Sequence, residues 1–180
     1  MRDFDELKLA RVIDACGGID GRVKMQKIVY LLKVMGYDLP FDDFVIRQQG
    51  PFSRSVAWAT DVLTGAEILQ ERIDELGVNS EGEPVRQYSY QVRDDIAPLI
   101  RKSFDVKAPR KKRKIDEVAS RLKQKDRAVL EVAATRVFLE REGLCGKKLD
   151  DELQRLKGHL SSEFQNANKL LAELRADLLL

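Results

Sequence analysis

The fold prediction starts from two stretches of the chain, Gly21-Arg-Val-Lys-Met-Gln-Lys-Ile-Val-Tyr-Leu-Leu-Lys33 and Arg47-Gln-Gln-Gly-Pro-Phe-Ser-Arg54. The first has the spacing of an amphipathic helix, with Val23, Ile28, Leu31, Leu32 and Met35 facing inward and Arg22, Lys24, Lys27 and Lys33 in water. Gly36 suits the position just after the end of this helix. The second predicts a strand over 44–49 that Gly50-Pro51 ends, followed by a helix that Ser53 caps. Together they predict a helix-turn-helix-like core.

The residues around this core complete a longer pattern. Asp3-Phe-Asp-Glu6 has the form of a capping box and predicts a first helix over about 4–15. The helix capped by Ser53 is predicted over roughly 54–64. Strands at 68–73 and 85–92, separated by a turn-rich segment, predict a β-hairpin. Three helices followed by a hairpin is the order of a winged helix-turn-helix.

The rest of the sequence predicts helices only. They are expected from Asp94 or Asp95 to about Phe104, over 115–122, from Asp126 to Gly143, and over 149–178 with a break near Gly158. The predicted fold class is therefore α+β and mostly helical. A winged-helix-like part over 1–104, a basic linker over 105–114 and a helical C-terminal part over 115–180 are expected to pack as one domain.

The composition indicates a folded cytoplasmic protein. Of its 180 residues, 43% are hydrophobic, which is enough to bury a core. The charged N-terminus is unlike a signal peptide, and no apolar run of about 18 residues predicts a membrane span. Cys16 and Cys145 are isolated and His159 is the single histidine, so no disulfide, metal site or cofactor is expected.

The net charge of +2 hides opposite charges in the two halves. Residues 1–100 carry 12 Lys+Arg against 17 Asp+Glu, whereas residues 101–180 carry 20 against 13. Most of the basic excess lies between Arg101 and Arg127. The two halves therefore present different electrostatic surfaces.

No catalytic constellation stands out in the sequence. His159 has no serine or cysteine elbow and no Gly-rich phosphate loop near it, and one histidine excludes chemistry that needs two. Acidic pairs such as Asp42-Asp43 stand at loops or helix starts, where carboxylates favour the helix dipole. We therefore expect a binding function and no enzyme activity.

One binding hypothesis is a DNA-binding transcriptional regulator. It would place helix 53–64 in the major groove and the basic stretch 107–114 on phosphates. The candidate nucleic-acid-binding residues are Arg22, Lys24, Lys27, Arg47, Arg54, Arg110, Lys111, Lys112, Arg113 and Lys114. Acidic residues of the predicted hairpin oppose this hypothesis, and the simpler interpretation of 107–114 is a solvated connector.

The other hypothesis is contact with a protein partner, through the candidate residues Phe52, Ser53 and Trp58. Trp58, the only tryptophan, is either a core residue or the aromatic anchor of an interface beside Phe52. The C-terminal leucines form an apolar end. They either pack on the core of the same chain or support a homodimer through 149–178.

The two quoted stretches resemble the signature of bacterial and archaeal YwgA-like proteins, distant relatives of the Panacea antitoxin domain family. Those families show Lys-Leu-Gln-Lys before an aliphatic-Tyr helix, and Tyr-Gly-Pro-Tyr-Ser at the start of the next helix. The chain departs from the pattern at Met25, Gln49 and Phe52, and Phe52 lacks the hydroxyl of the usual tyrosine. The run Val129–Leu139 also resembles their helical C-terminal part, so the resemblance covers most of the chain.

The resemblance implies a compact helical domain with a small sheet that acts through binding, since Panacea relatives neutralise a toxin by contact. The expected function is therefore that of a non-enzymatic, antitoxin-like regulatory binding protein in a prokaryotic cytoplasm. Its expected partner is a protein, with a toxin as the leading case, and no membrane is involved. DNA-binding regulation is the alternative.

Overall fold

The computed structural model describes residues 5–78, 80–104, 106–107 and 114–179, with side chains described as far as Ala176. Its helices are α1 (Leu7–Ala15), α2 (Arg22–Val34), α3 (Arg54–Gly65), α4 (Ala97–Ser103), α5 (Ile115–Lys123), α6 (Arg127–Arg141), α7 (Gly146–Lys157) and α8 (Phe164–Leu179). Its strands are β1 (Ile19–Asp20), β2 (Val45–Arg47), β3 (Gly50–Phe52), β4 (Leu69–Val78) and β5 (Pro84–Val92). The predicted α+β, mostly helical class and the helical C-terminal part are confirmed.

The strands form two small antiparallel sheets. The larger has the order β1-β5-β4, in which Ile19 lies opposite Tyr90 and Leu69 lies opposite Val92. The predicted β-hairpin is therefore present, and β1 adds a third strand that the sequence pattern does not predict. A two-residue strand is too short to show the alternation by which strands are recognised.

The second sheet corrects the prediction of one strand over 44–49. The strand β2 ends at Arg47, a turn follows at Gln48-Gln49, and β3 returns antiparallel with Arg47 opposite Gly50. Gly50-Pro51 therefore begins a strand instead of ending one. Gly50 has φ +86°, which suits the close of a tight turn, and Pro51 is tolerated because it stands in an edge strand.

Some of the predicted helix ends carry the expected capping contact, and others do not. Ser53 caps α3 by accepting from the Val56 amide at 3.0 Å, and Gly36 follows α2 with φ +88°. The α4 helix begins at Ala97, after Ile96, so Asp94 and Asp95 do not cap it. Asp95 instead accepts from the Arg93 guanidinium at 2.7 Å, and Asp126 precedes α6 without a side-chain cap bond. α1 begins at Leu7, and Asp3 of the predicted capping box lies outside the described residues.

The C-terminal helices share one hydrophobic core with the N-terminal elements. α5 packs on α1 and α2, α6 packs on α2 and β3, and α7 and α8 pack on α6. Leu171 and Leu174 are each 3% exposed, so this part of the leucine stripe packs within the chain, as the simpler interpretation predicted. The stripe is broken at a 3₁₀ turn, Gly158–Glu163, where the break near Gly158 was predicted.

Ion pairs also join the two parts of the chain. The Arg11 guanidinium donates to the Asp116 carboxylate at 2.6 Å, which ties α1 to α5. Within the N-terminal part, Arg101 of α4 donates twice to Asp14 of α1, at 2.7 and 2.8 Å. Across the described ranges, no helix combines the length and apolar character that a membrane crossing requires.

Candidate binding site

The β2–β3 hairpin is attached to α2 by the side-chain amide of Gln26. Its Nε2 donates to the Ser53 carbonyl oxygen at 3.0 Å, and its Oε1 accepts from the Ser53 amide at 2.9 Å. Both residues are buried. Buried backbone groups need hydrogen-bond partners. Gln26 provides one donor and one acceptor for the Ser53 backbone, as a neighbouring strand would.

Lys27, the next residue along α2, makes a second attachment. Its ammonium donates to the Pro51 carbonyl oxygen at 2.7 Å, and the residue is only 2% exposed. Burial lowers the pKa of Lys27 to about 8; the nearby Glu131 carboxylate favours the charged form, and the Lys157 ammonium disfavours it.

The burial of Lys27 corrects the prediction that it lies in water and is available to nucleic acid. Every residue of α2 from Met25 to Leu32 is buried, because α5, α6 and the β2–β3 hairpin cover faces that one amphipathic stripe would leave open. The α2 helix is therefore a central helix of the domain, and its lysine has become an internal group.

Lys157, at the end of α7, makes a third attachment to the same hairpin. Its ammonium donates to the Gln48 carbonyl oxygen at 2.5 Å and pairs with the Glu131 carboxylate at 2.6 Å. Lys157 is 1% exposed and Glu131 is 4% exposed, so the ion pair is shielded from water. We call Gln26, Lys27 and Lys157 the hairpin clamp.

Gly50 lets the hairpin approach α6. A Cβ atom at this position would lie 2.7 Å from Thr135 Oγ1, which is closer than such atoms come. The positive φ of +86° already disfavours a side chain there. The glycine of the Gly-Pro-Phe-Ser stretch is therefore required by both backbone conformation and packing.

Ser53 joins the hairpin to the start of α3. Besides capping the helix, its hydroxyl donates to the Asp43 carboxylate at 2.5 Å, and the Ser55 amide donates to the same carboxylate at 3.0 Å. Burial raises the pKa of Asp43, but these hydrogen bonds outweigh it and hold the pKa below its ordinary value. Ser53 is fully buried, so its hydroxyl faces the interior and not the surface expected of an interaction residue.

The clamp and the hairpin form one side of an open cleft of about 760 Å³. The cleft lies between α2, the β2–β3 hairpin and α3, and Val23, Met25, Phe52 and Ala57 contribute apolar walls. Its charged lining residues are Arg22, Lys27, Arg47 and Asp61. The structure therefore brings three of the predicted basic residues to one place.

Arg22 is fixed at one end of the cleft by the sheet. Its guanidinium donates to Tyr90 Oη at 2.6 Å and to Glu71 at 3.1 Å, and lies 4.5 Å from the centre of the Tyr88 ring. Tyr90 Oη donates in turn to Glu71 at 2.6 Å. These bonds use two of the five N–H groups of Arg22, and the Glu71 carboxylate pairs with its charge.

Arg47 has a different environment. Its guanidinium stacks over the Phe52 ring at 4.9 Å, and the residue is exposed. No carboxylate within the described ranges pairs with it. The N–H groups of Arg47 therefore remain available at the rim of the cleft.

Trp58 lies on another face of α3. It is 48% exposed, so the interpretation of Trp58 as a core residue is wrong. The buried stripe of α3 consists of Val56, Ala59, Thr60 and Leu63, and position 58 falls away from it because each residue turns a helix by about 100°. Phe52 lines the cleft and Trp58 does not, so the two do not share one pocket.

The remaining predicted basic residues do not join the cleft. Lys24 is half-buried, Arg54 is exposed at the first turn of α3, and Lys114 is exposed before α5. Arg110, Lys111, Lys112 and Arg113 lie outside the described residues. His159 is exposed and lines a depression of about 190 Å³ beside Gln49 and Arg127.

The β4–β5 hairpin presents both negative charge and apolar side chains to the outside. Asp74, Glu75, Glu81 and Glu83 lie on it, with Glu71 turned toward Arg22. Leu76 and Val78 are 63% and 69% exposed. The acidic character on which the argument against DNA binding rests is therefore present on this hairpin.

The sequence analysis missed Gln26, Glu131 and Lys157. Each is a polar residue whose partner lies at least 26 positions away along the chain. The one local signal is a Gln-Lys pair in the middle of an otherwise apolar helical stretch, which places polar groups where burial is expected.

In the described part of the chain, no group of three or more His, Cys, Asp or Glu residues is arranged to hold a metal ion. Comparison of the chain with protein-family models, with curated proteins and with solved structures finds no match.

Proposed function

We propose that this chain is a non-enzymatic regulatory binding protein of the prokaryotic cytoplasm, antitoxin-like in its mode of action, which contacts a protein partner through α3. Its N-terminal part is proposed to be winged-helix-like, since three helices precede a hairpin and the short strand β1 pairs with β5. Of the C-terminal helices, α5 packs on α1 and α2, and α6 packs on α2.

The observation that carries the proposal is the exposure of Trp58. Arg54, Trp58 and Val62 follow one another at intervals of four, so they form one stripe on the outer face of α3. Trp58 is 48% exposed and Val62 is 38% exposed. Tryptophan and arginine are the residue types that most often dominate the binding energy of protein interfaces.

The resemblance to YwgA-like and Panacea proteins supports the scaffold more than the interface. The signature residues Gln26, Lys27, Gly50 and Ser53 are all buried, and Gln26, Lys27 and Ser53 attach the hairpin to α2 and α3. We therefore propose that the signature reflects the scaffold, and that exposed residues outside it select the partner.

The test begins with tagged protein recovered from its native cells, with and without nuclease, followed by identification of the retained proteins. The partner is then purified, and its affinity is measured by calorimetry for the wild type, for Trp58→Ala and for Leu99→Ala. Leu99 is a suitable control because it is 59% exposed on α4, away from α3. We expect Trp58→Ala to weaken binding at least tenfold, as interface anchors do, and Leu99→Ala to leave it unchanged. Equal affinity for all three proteins would contradict the proposal.

The alternative is a DNA-binding transcriptional regulator, and the order of three helices and a hairpin favours it. Its binding to duplex DNA would be measured by fluorescence anisotropy over a series of salt concentrations. A salt dependence of the binding constant that corresponds to several phosphate contacts, and that becomes less steep in Arg54→Gln, would support this alternative. The apolar stripe on α3 and the acidic β4–β5 hairpin lead us to expect weak, non-specific binding only.

A further inference from the structure

We propose that the cleft between α2, the β2–β3 hairpin and α3 binds a small amphipathic anion, a molecule with an apolar body and one carboxylate, sulfonate or phosphate group. This site is separate from the proposed protein-binding stripe. Trp58 and Val62 do not line the cleft, and the cleft residues do not belong to the stripe.

The size and lining of the cleft fit a small organic molecule. Its volume of about 760 Å³ falls within the range of ordinary ligand sites. Val23, Phe52 and Ala57 are half-buried and provide apolar contact surface, and the buried Met25 also belongs to the lining. An apolar body would therefore gain from leaving water.

The charges of the cleft select the sign of the ligand. Arg22, Lys27 and Arg47 line it, and Asp61 is the carboxylate among the described lining residues. Because Glu71 pairs with Arg22, the excess of positive charge comes from Lys27 and Arg47. A pocket with apolar walls strengthens the field of such an excess, because water screens it poorly. A neutral or cationic molecule of the same shape gains nothing from this field.

All three cations keep N–H donors for a ligand, but among the described residues Arg22 is paired with a carboxylate, whereas Lys27 and Arg47 are not. A lysine ammonium has three N–H donors, and in the described structure Lys27 uses one of them, on the Pro51 carbonyl oxygen. Arg47 keeps its N–H edge at the rim while its flat face covers Phe52. Arg22 is already bonded to Tyr90 and paired with Glu71, so its charge is partly offset before a ligand binds.

This arrangement predicts how a ligand would lie. Its anionic group would accept hydrogen bonds from Arg47 at the rim and from Lys27 at the floor, while its apolar body would contact Phe52 and Met25. Lys27 is a costly internal charge in the free protein, and an anion beside it would offset part of that cost.

The test uses a matched pair of fluorescent probes. The first is 8-anilinonaphthalene-1-sulfonate, which has an apolar phenyl-naphthylamine body and one sulfonate. The second is N-phenyl-1-naphthylamine, which has the same body without the sulfonate. The full chain is titrated with each probe, and backbone amide shifts in NMR spectra identify where each probe binds.

We expect the sulfonate probe to bind one site and to perturb the amides of residues 22–27, 47–52 and 57–61. Arg47→Gln should weaken it roughly tenfold, the effect of one charge-assisted hydrogen bond. Asp61→Asn should strengthen it several-fold, because the only carboxylate of the lining is removed. The neutral probe should change little in either variant.

Arg155→Gln is the control, since it removes an exposed arginine of α7 that belongs neither to the cleft nor to the stripe on α3. Loosened packing would increase the binding of both probes together, so the ratio of the two affinities separates that effect from the proposed one. Unchanged sulfonate affinity in both Arg47→Gln and Asp61→Asn, or amide shifts confined to other regions, would overturn the proposal. The result of this experiment does not depend on whether Trp58 binds a protein partner.

Discussion

The Lys27 ammonium and the Pro51 carbonyl oxygen lie 2.7 Å apart, and this hydrogen bond joins the two halves of the sequence signature. Around it, Gln26 binds the backbone of Ser53 and Lys157 binds the backbone of Gln48. The hairpin that forms one wall of the cleft is therefore positioned by three buried side chains from two helices.

Replacing Gly50 by alanine should destabilise the protein by roughly 2–4 kcal/mol, since the new Cβ adds a clash with Thr135 to an unfavourable positive φ. Gly82→Ala is the control, because Gly82 has φ +80° with open space around it. We expect about 1 kcal/mol there, measured by urea denaturation of both variants. Equal losses at the two positions would show that the contact with Thr135 is unimportant.

Replacing Lys157 by methionine should cost about 3–5 kcal/mol, because it leaves the Glu131 carboxylate buried without its partner. The double variant Lys157→Met with Glu131→Leu should recover about 1–3 kcal/mol of that loss, since it removes the stranded charge as well. A double-mutant cycle in denaturant measures both effects. Strict additivity of the two single changes would mean that the pair is not coupled.

The burial of Lys27 predicts a pH dependence of stability. Its folded pKa is about 8, whereas its ordinary value is 10.5. Between these values the unfolded chain holds a proton that the folded chain does not, so the free energy of unfolding rises with pH across this window. Relative to Lys27→Met, the wild type should gain on the order of 2 kcal/mol between pH 8 and pH 10.

The comparison with Lys27→Met is needed because another group opposes the trend. Burial raises the pKa of Cys16 from 9.0 to about 12, so its contribution to stability is lost as pH rises above 9. This loss is common to the wild type and the variant and cancels in their difference. A flat difference between pH 8 and pH 10 would show that Lys27 keeps its ordinary pKa.

Trp58→Ala should cost less than about 1 kcal/mol of stability, because nearly half of the side chain is already in water. Leu63→Ala, on the same helix but 1% exposed, should cost about 2–5 kcal/mol. Thermal or urea unfolding measures both. A large loss for Trp58→Ala would mean that any effect on partner binding reflects folding.

The sequence predicted those features that depend on residues close together along the chain. The spacing of apolar residues in α2, the Ser53 cap and the positive φ after α2 at Gly36 follow from local chemistry. The β4–β5 hairpin was also predicted from the alternation of its residues. These features need no knowledge of what packs against them.

The candidate site depended on contacts between distant segments, and the sequence could not supply them. Lys27 was predicted to lie in water because the pattern of α2 alone does not show which other helices pack on it. The α6 helix, which begins 100 residues later at Arg127, covers that face. Trp58 was ambiguous because tryptophan is equally suited to cores and to interfaces. The basic residues were recognised, but which of them share one cleft is a property of the fold.

Every bond from the hairpin clamp to the hairpin and Ser53 ends on a main-chain atom: the carbonyl oxygens of Gln48 and Pro51, and the amide and carbonyl of Ser53. The side chains at positions 48, 49 and 52 therefore make none of these bonds. Changes at these residues would alter the lining of the cleft and leave each bond of the clamp to the hairpin with its main-chain partner.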